Sequence, residues 1–290
     1  MSFASDTRLE RIGPGSFTAE LHDRWKSLVD IHGGYSAAVV VRAVELAVAD
    51  PARALRSIAV QFVAPPQPGP AEVEVTVERS GRSVTMTSAR LLQARQVLLV
   101  AQAVSSPPRA GLAYDDHLPL HDADPGATPI FVPPGKIAHF QNAEVRLDPA
   151  TVPFGGGEVA RVAAWLRPLA GEAIDAAWLV AMCDMLPPAV FSRTTGPVKA
   201  ASIEYVVHLA TGEPRLPADK HVYLSCYSPL STEGFAVEDA TMWGPDGRIL
   251  AVARQTRLAG GAGGQPPRPA HSARSRQLFG GGERAHLLTR

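Results

Sequence analysis

The alternation of apolar and polar residues divides the chain into two stretches with similar patterns. Residues 36–49, SAAVVVRAVELAVA, are apolar on almost every side and stop at an Asp-Pro pair, which indicates a buried helix. The segments that follow are rich in Val, Ile and Thr, and the alternation is regular in EVEVTV, residues 72–77, which predicts strands. With a hairpin turn at Ser80-Gly81, this half is predicted to be one helix followed by an antiparallel meander.

The same pattern returns in the second half of the chain. It predicts a helix at 174–186, a hairpin turn at 245–247, and strands at 158–168, 200–209, 221–228, 235–243 and 249–258. SIAVQFVAP, which begins at Ser57, resembles SIEYVVHLA, which begins at Ser202. A long internal repeat of this kind is typical of duplicated domains packed about a pseudo-two-fold axis.

These patterns predict an α+β double hotdog fold, with two tandem repeats that each wrap a long helix in an antiparallel β-sheet. We divide the chain into an N-terminal hotdog (1–105), a Pro-rich linker (106–134), a C-terminal hotdog (135–259) and a tail (260–290). The tail is rich in Gly, Pro and Arg and is expected to be disordered.

Composition narrows the classes of function. The 290 residues are 46% hydrophobic and 19% charged, and the formal net charge is +0, so nothing indicates nucleic acid or an anionic membrane as a partner. No apolar run approaches the roughly 18 residues of a membrane span, and the N-terminus does not look like a secretory signal, so we expect a cytoplasmic protein. Cys183 and Cys226 make no metal-ligand set, although a single bridge between them stays open.

One carboxylate interrupts the most apolar segment of the chain. Between residues 176 and 186 the only charged side chain is Asp184, and an ionised group in a buried helix is costly unless other groups hold it. Asp184 could cap a turn before Pro187-Pro188, pair with an arginine such as Arg193, or activate a water molecule.

The order and spacing of several segments resemble the type II acyl-CoA thioesterase family over roughly residues 20–258. The segments are the Gly33-Gly34 helix start, SIAVQFVAPP, ERSGRSVTMTSARLLQ, CDMLP, AASIEY and MWGPDGRILAVARQ. The resemblance implies a hydrolase of lipid metabolism that cleaves an acyl-CoA without a metal or other cofactor. It also implies a homo-oligomer, because hotdog sheets commonly pair.

The resemblance further implies a set of site residues. In the family an aspartate on the second hotdog helix, a hydroxyl on the next strand and a glutamine on the last strand orient a hydrolytic water. These roles fall on Asp184, Ser202 and Gln255. The hydroxyl is commonly threonine, so Ser202 is a departure that implies a weaker or shifted activity. Burial and the negative end of its helix are expected to raise the pKa of Asp184.

The first half is expected to bind the substrate. Backbone N–H groups at Gly33 and Gly34 would form an oxyanion hole, and His32 beside them would contact substrate, unless it is only a half-exposed histidine at a helix start. The first helix has valine or alanine where the second has Asp184, so we expect one site per chain. Two other functions stay open: a non-catalytic binder of acyl thioesters, and an enoyl-CoA hydratase-like lyase, for which no convincing Asp/His pair is found.

Overall fold

The computed structural model describes residues 2–28, 30–116, 124–133, 137–196, 198–210 and 216–260. The tail predicted to be disordered lies outside these residues from position 261 onward, as does part of the proposed linker. Three α-helices form within the described residues: α1, Phe3–Asp6; α2, Gly33–Val48; and α3, Ala176–Met182. None of the helices in these ranges is both long enough and apolar enough to cross a membrane.

The described strands form one 12-stranded antiparallel sheet. They are β1 (Leu9–Gly13), β2 (Ser16–Leu21), β3 (Ala54–Phe62), β4 (Gly69–Ser80), β5 (Thr85–Gln93), β6 (Gln96–Ser106), β7 (Ala143–Leu147), β8 (Arg161–Pro168), β9 (Lys199–Leu209), β10 (Val222–Thr232), β11 (Phe235–Trp243) and β12 (Ile249–Gly260).

The order of the strands shows the internal repeat directly. From one edge to the other it is β1-β2-β4-β5-β6-β3-β9-β12-β11-β10-β8-β7, so each half contributes the same sequence of strands read from its own edge. The halves meet where β3 pairs with β9, with Val60 opposite Tyr205. This arrangement confirms the predicted α+β double hotdog.

Helices α2 and α3 fill the inside of the curved sheet. The run Val39, Val40 and Val41 is fully buried, as are Leu179, Val180 and Ala181, so neither helix has a solvent-facing side over these turns. The two helices are antiparallel and in contact: Gly34 at the start of α2 lies against the end of α3, while Arg42 in α2 contacts Asp175, the N-cap of α3, at 2.6 Å. This packing brings the two ends that form the site together.

Helix α3 is shorter than the prediction of a helix over residues 174–186. Ile174 instead forms a β-bridge with Leu216, and Asp175 caps the helix by accepting a hydrogen bond from the N–H of Trp178. At the other end the chain tightens, with the N–H of Met185 donating to the carbonyl of Met182. Asp184 therefore lies in the turn directly after the helix.

Three strands were not predicted, namely β1, β2 and β7. Strand β1 is short and mostly exposed, so its sequence does not show the alternation of apolar and polar residues that predicts a strand. Strand β7, only five residues long, begins after a 3-10 turn at Ala138–Asn142. Among the described residues of the proposed linker, regular structure beyond the end of β6 is confined to a 3-10 turn at Pro125–Ala127 and a bridge from Ile130 to Arg146.

Candidate active site

The carboxylate of Asp184 lies against the first turn of α2. The residue is 9% exposed, and its Oδ2 accepts a hydrogen bond of 2.9 Å from the N–H of Gly34. A helix N-terminus has unpaired N–H groups and a partial positive charge, so it is a favourable place for an anion. The contact joins the two halves of the molecule at this point.

A side chain would make close contacts at both positions of this helix start, and at Gly34 the nearest neighbour is backbone. A Cβ at Gly34 would lie 2.7 Å from the carbonyl oxygen of Ala181 and 2.9 Å from the Cβ of Asp184. A Cβ at Gly33 would lie 2.9 Å from Cζ of Phe62. At Gly34 the close approach is thus to Asp184 and its helix, whereas at Gly33 it is first to the Phe62 ring in β3. The N–H of Gly34 is engaged by the carboxylate, which differs from its expected role as an open oxyanion donor.

Gln255 and Ser202 lie beside Asp184 on the inner face of the sheet. The Nε2 of Gln255 donates to Oδ1 of Asp184 at 2.8 Å, and the Ser202 hydroxyl donates to Oε1 of Gln255 at 2.7 Å. The three residues assigned from the family resemblance are therefore brought together. Ser202 contacts Gln255 and not Asp184 itself in the hydrogen bonds of the described residues.

A β-bulge turns Ser202 inward. Along β9, Tyr205 and Val207 face the helices, and regular alternation would put Ile203 inward and Ser202 outward. The pairing with β12 instead shifts between Thr256 and Arg257, which leaves Ile203 as an extra residue. Ser202 then pairs with Arg257 and reaches the inner face.

Two further residues of the site were missed by sequence reasoning. The Nη2 of Arg257 lies 3.1 Å from Oδ1 of Asp184 and 2.8 Å from Oε1 of Glu238. The arginine that pairs with Asp184 is therefore Arg257 and not Arg193. A signal existed: alternation puts Gln255 and Arg257 on one face of β12, and the predicted hairpin places Glu238 directly opposite Gln255.

His32 is buried, not half-exposed, and holds the Asp184 turn from the α2 side. Its Nδ1 accepts a hydrogen bond of 3.2 Å from the N–H of Tyr35. Nε2 lies 2.8 Å from the main-chain oxygen of Asp184 and 3.4 Å from Oδ2. His139 stacks on the His32 ring with centroids 4.5 Å apart. Burial, and next the neighbouring His32, lower the pKa of His139 to about 3.

The pKa of Asp184 is lowered, which contradicts the expectation of a raised value. Burial does act to raise the pKa, but the adjacent His32 imidazole, the Arg257 guanidinium, the Gln255 amide and the Gly34 N–H together outweigh it. The expectation counted burial and the helix end and missed these donors. Next to it, burial raises the pKa of Cys183 to about 12, so this thiol stays protonated.

The first half does not repeat this set of polar groups. Val60 in β3 takes the place of Tyr205 in β9, and it pairs with Ala101, which in turn pairs with Ala89. Tyr205 pairs with Gln255, which pairs with Glu238. Alanines thus occupy the first-half positions that match Gln255 and Glu238, and Ala103 matches Arg257.

Comparison with known proteins agrees with this architecture. The acyl-CoA thioesterase N-terminal domain matches residues 21–106, and the acyl-CoA thioesterase C-terminal domain matches residues 115–259. A search of the curated proteins finds no match.

Solved structures share the fold over nearly their whole length. A hot dog fold protein of unknown function from Alicyclobacillus acidocaldarius is 22% identical, with a TM-score of 0.81, over 89% of this chain and 98% of its own. The tesB protein of Mycobacterium avium subsp. paratuberculosis is 20% identical, with a TM-score of 0.73, over 89% and 98%. An acyl-CoA thioesterase II of Mycobacterium marinum is 18% identical, with a TM-score of 0.73, over 92% and 99%. Because both domains of one family match in order along most of the sequence, the chain belongs to the acyl-CoA thioesterase family.

Proposed function

We propose that this protein hydrolyses an acyl-CoA to a free acid and CoA, with a water molecule activated by Asp184. One observation carries the proposal: a buried carboxylate sits where the two halves meet, held by the N-terminus of α2 and by the amide of Gln255. Membership of the acyl-CoA thioesterase family and the likeness to an acyl-CoA thioesterase II support the choice of substrate.

Within the described residues, counting donors and acceptors leaves two positions at the site without a hydrogen bond. Oδ1 of Asp184 accepts from Gln255 and Arg257, while Oδ2 accepts from Gly34 and keeps one acceptor position. The Oε1 of Gln255 accepts from Ser202, so its Nε2 gives one hydrogen to Asp184 and keeps the other. A water molecule bound to Oδ2 and near this second hydrogen would be oriented for attack.

The reaction then needs no group beyond the chain and its substrates. Asp184 takes a proton as the water oxygen bonds to the thioester carbonyl carbon, and the carbonyl electron pair moves to oxygen. The N–H of Gly33, which has no acceptor inside its helix, is the candidate donor to that oxyanion. The intermediate collapses by breaking the C–S bond, and the CoA thiolate takes the proton back from Asp184.

A second function is favoured by one observation. The lowered pKa of Asp184 makes it a weaker base than a carboxylate of raised pKa would be, although it stays ionised near neutral pH. A protein that binds an acyl thioester without hydrolysing it would need only the ionised group. This is the runner-up to hydrolysis.

Release of free thiol from acyl-CoAs of graded chain length tests the proposal. We expect release by the wild type and a fall of about 100- to 10,000-fold in Asp184→Asn, since that is the usual contribution of a general base. The matched control is Asp175→Asn, which removes a carboxylate at the opposite end of α3 while keeping an N-cap side chain.

Each other result has a definite meaning. Equal release by wild type and Asp184→Asn would make Asp184 a structural residue and overturn the mechanism. Binding of an acyl-CoA with no release would support the non-catalytic binder. Consumption of an enoyl-CoA without free thiol would support the hydratase-like lyase.

A further inference from the structure

A buried guanidinium connects three members of the site network. Arg257 is 5% exposed, and its Nη2 donates to Oδ1 of Asp184 at 3.1 Å while its Nη1 donates to the hydroxyl oxygen of Ser202 at 2.7 Å. That second contact fixes the direction of the Ser202 proton. Because the oxygen accepts from Arg257, the hydroxyl hydrogen points to Oε1 of Gln255, and the Gln255 amide is turned with its Nε2 toward Asp184.

A second buried carboxylate holds this arginine from the other side. Glu238 is 2% exposed, and its Oε1 accepts from Nε of Arg257 at 3.1 Å and from Nη2 at 2.8 Å. Its Oε2 accepts from the N–H of Ala189, so the carboxylate is fixed at both oxygens. Arg257 therefore divides its charge between Glu238 and Asp184.

The internal repeat provides an independent observation about this pair. If Glu238 and Arg257 were needed for the hotdog sheet itself, the first half would carry polar partners at the same places. It carries Ala89 and Ala103 there instead, both buried. At the matched sheet positions, all of which the structure describes, the charged pair thus occurs in the half that has Asp184 and not in the other, which ties it to the site.

We propose that Arg257 and Glu238 are positioning residues for thioester hydrolysis: Arg257 orients Asp184, Ser202 and Gln255, and Glu238 sets how much of the arginine's charge reaches Asp184. This inference rests on the proposed function. It assigns neither residue a contact with substrate. The two residues should act on Asp184 in opposite directions, because one is a cation next to the carboxylate and the other partly neutralises that cation.

Several other charged or titratable groups face Asp184 and have to be considered. They are His32 from α2, His139 from the 3-10 turn before β7, Tyr205 from β9, Cys226 from β10 and the adjacent Cys183. Burial raises the pKa of Tyr205 and of both thiols, so these three are neutral near pH 7. Among the described groups that contact Asp184 directly, Arg257 is the permanent cation.

The test measures the titration of Asp184 directly, by carboxyl carbon NMR on full-length protein, with Asp184→Asn to identify the signal. Arg257→Met should move the midpoint up by roughly one pH unit or more, since it removes an adjacent cation. Glu238→Gln should move the midpoint down, because the arginine then acts on Asp184 alone. No movement in Arg257→Met, or movement of both variants in the same direction, would overturn the proposal.

Loss of one buried partner can unfold a protein, so a second design covers that result. The double variant Arg257→Met, Glu238→Met removes both charges of this pair together, so neither Arg257 nor Glu238 is left buried without the other. It should show the upward shift as well, and an unshifted midpoint in this variant would also overturn the proposal.

Thioester hydrolysis gives a further readout that a purely structural role would not move. The acidic limb of kcat/KM should follow the NMR midpoint in each variant, and Arg257→Lys should recover part of kcat by restoring the cation. Absence of any hydrolysis by the wild type would defeat the proposed function and leave the NMR comparison as the test of the two residues. If the acidic limb of kcat/KM did not shift with the NMR midpoint of Asp184, the positioning roles would be overturned.

Discussion

At the scale of single residues, Asp184 shows how a folded chain can keep an ionised carboxylate inside. Burial of an unpaired carboxylate costs several kcal/mol, which would normally make it take up a proton. Here Gln255, Arg257 and the Gly34 N–H replace the water it loses. The residue is thus prepared as an anion and needs no change of protonation before a substrate arrives.

The lowered pKa of Asp184 predicts where activity fails in acid. Above its folded-state pKa the residue is ionised, so thiol release should change little between pH 7 and pH 5 through this group. Activity should be lost only below an aspartate's ordinary pKa of about 3.9. The pH dependence of thiol release can be measured with a thiol reagent that works in acid. If activity instead fell near neutral pH, and fell at the same pH in Arg257→Met, the loss would be assigned to a group other than Asp184.

Stability should follow the same direction. A carboxyl group whose pKa is lower in the folded state stabilises the fold above its unfolded-state pKa, and this contribution is lost as the pH falls through the folded-state value. Asp184 therefore contributes to stability at neutral pH and makes the protein sensitive to strong acid.

At the scale of elements, the contact between α2 and α3 depends on a missing side chain. Gly34→Ala should lower the free energy of unfolding by about 1–3 kcal/mol, the usual cost of overpacking, because the added Cβ would meet backbone oxygen and force the helices apart. It should also lower thiol release, since the Gly34 N–H would leave Asp184.

A second glycine serves as the control for this prediction. A Cβ at Gly81 would find its nearest neighbour at 3.6 Å, which is ordinary contact, so Gly81→Ala should leave both unfolding and hydrolysis near wild type. Chemical denaturation of the two variants side by side would make the measurement. A Gly34→Ala protein as stable as wild type would contradict the prediction, because α2 and α3 would then accommodate the added Cβ without a loss in the free energy of unfolding.

Sequence patterns predicted the elements whose burial is periodic or complete. The long apolar run of α2 and the alternating strands of both meanders belong to this group, and so did the repeat. The patterns did not predict features that depend on local backbone geometry and not on periodic burial. The turn that ends α3 before Asp184 and the short exposed strand β1 carry no periodicity of their own.

The site was predicted in part, for a similar reason. Asp184, Ser202 and Gln255 were assigned from the resemblance to the acyl-CoA thioesterase family, and the structure places them together. The donors that set the charge of Asp184 come from separate elements, so their combined effect on its pKa depends on distances that a sequence does not contain. Arg257 was nevertheless within reach, because it lies on the same strand face as Gln255.

At the scale of the whole molecule, the two halves have the same strand order but carry different side chains at the matching positions. The first half supplies the helix start that binds Asp184, and the second supplies the carboxylate and its partners on the sheet. The matching sheet positions in the first half are alanines, so it has no polar groups there for a second site.

This asymmetry predicts one functional site per chain. A thioether analogue of an acyl-CoA, which cannot be hydrolysed, should bind with a stoichiometry of one per chain in a calorimetric titration. Asp184→Asn should change the affinity and keep the stoichiometry. Two equivalent sites per chain would mean that the first half binds substrate by other groups.

The extra residue in β9 also affects how the repeat is compared. An ungapped comparison places Ser57 against Ser202, yet Ser57 directly precedes buried Ile58 and lies on the opposite face of the sheet. The bulge at Ile203 turns Ser202 to the face that Ile58 occupies in the first half. Ser57 therefore does not occupy in the first half the position that Ser202 occupies in the second, so identical residues in an ungapped alignment of the two repeats can lie on opposite faces of the sheet.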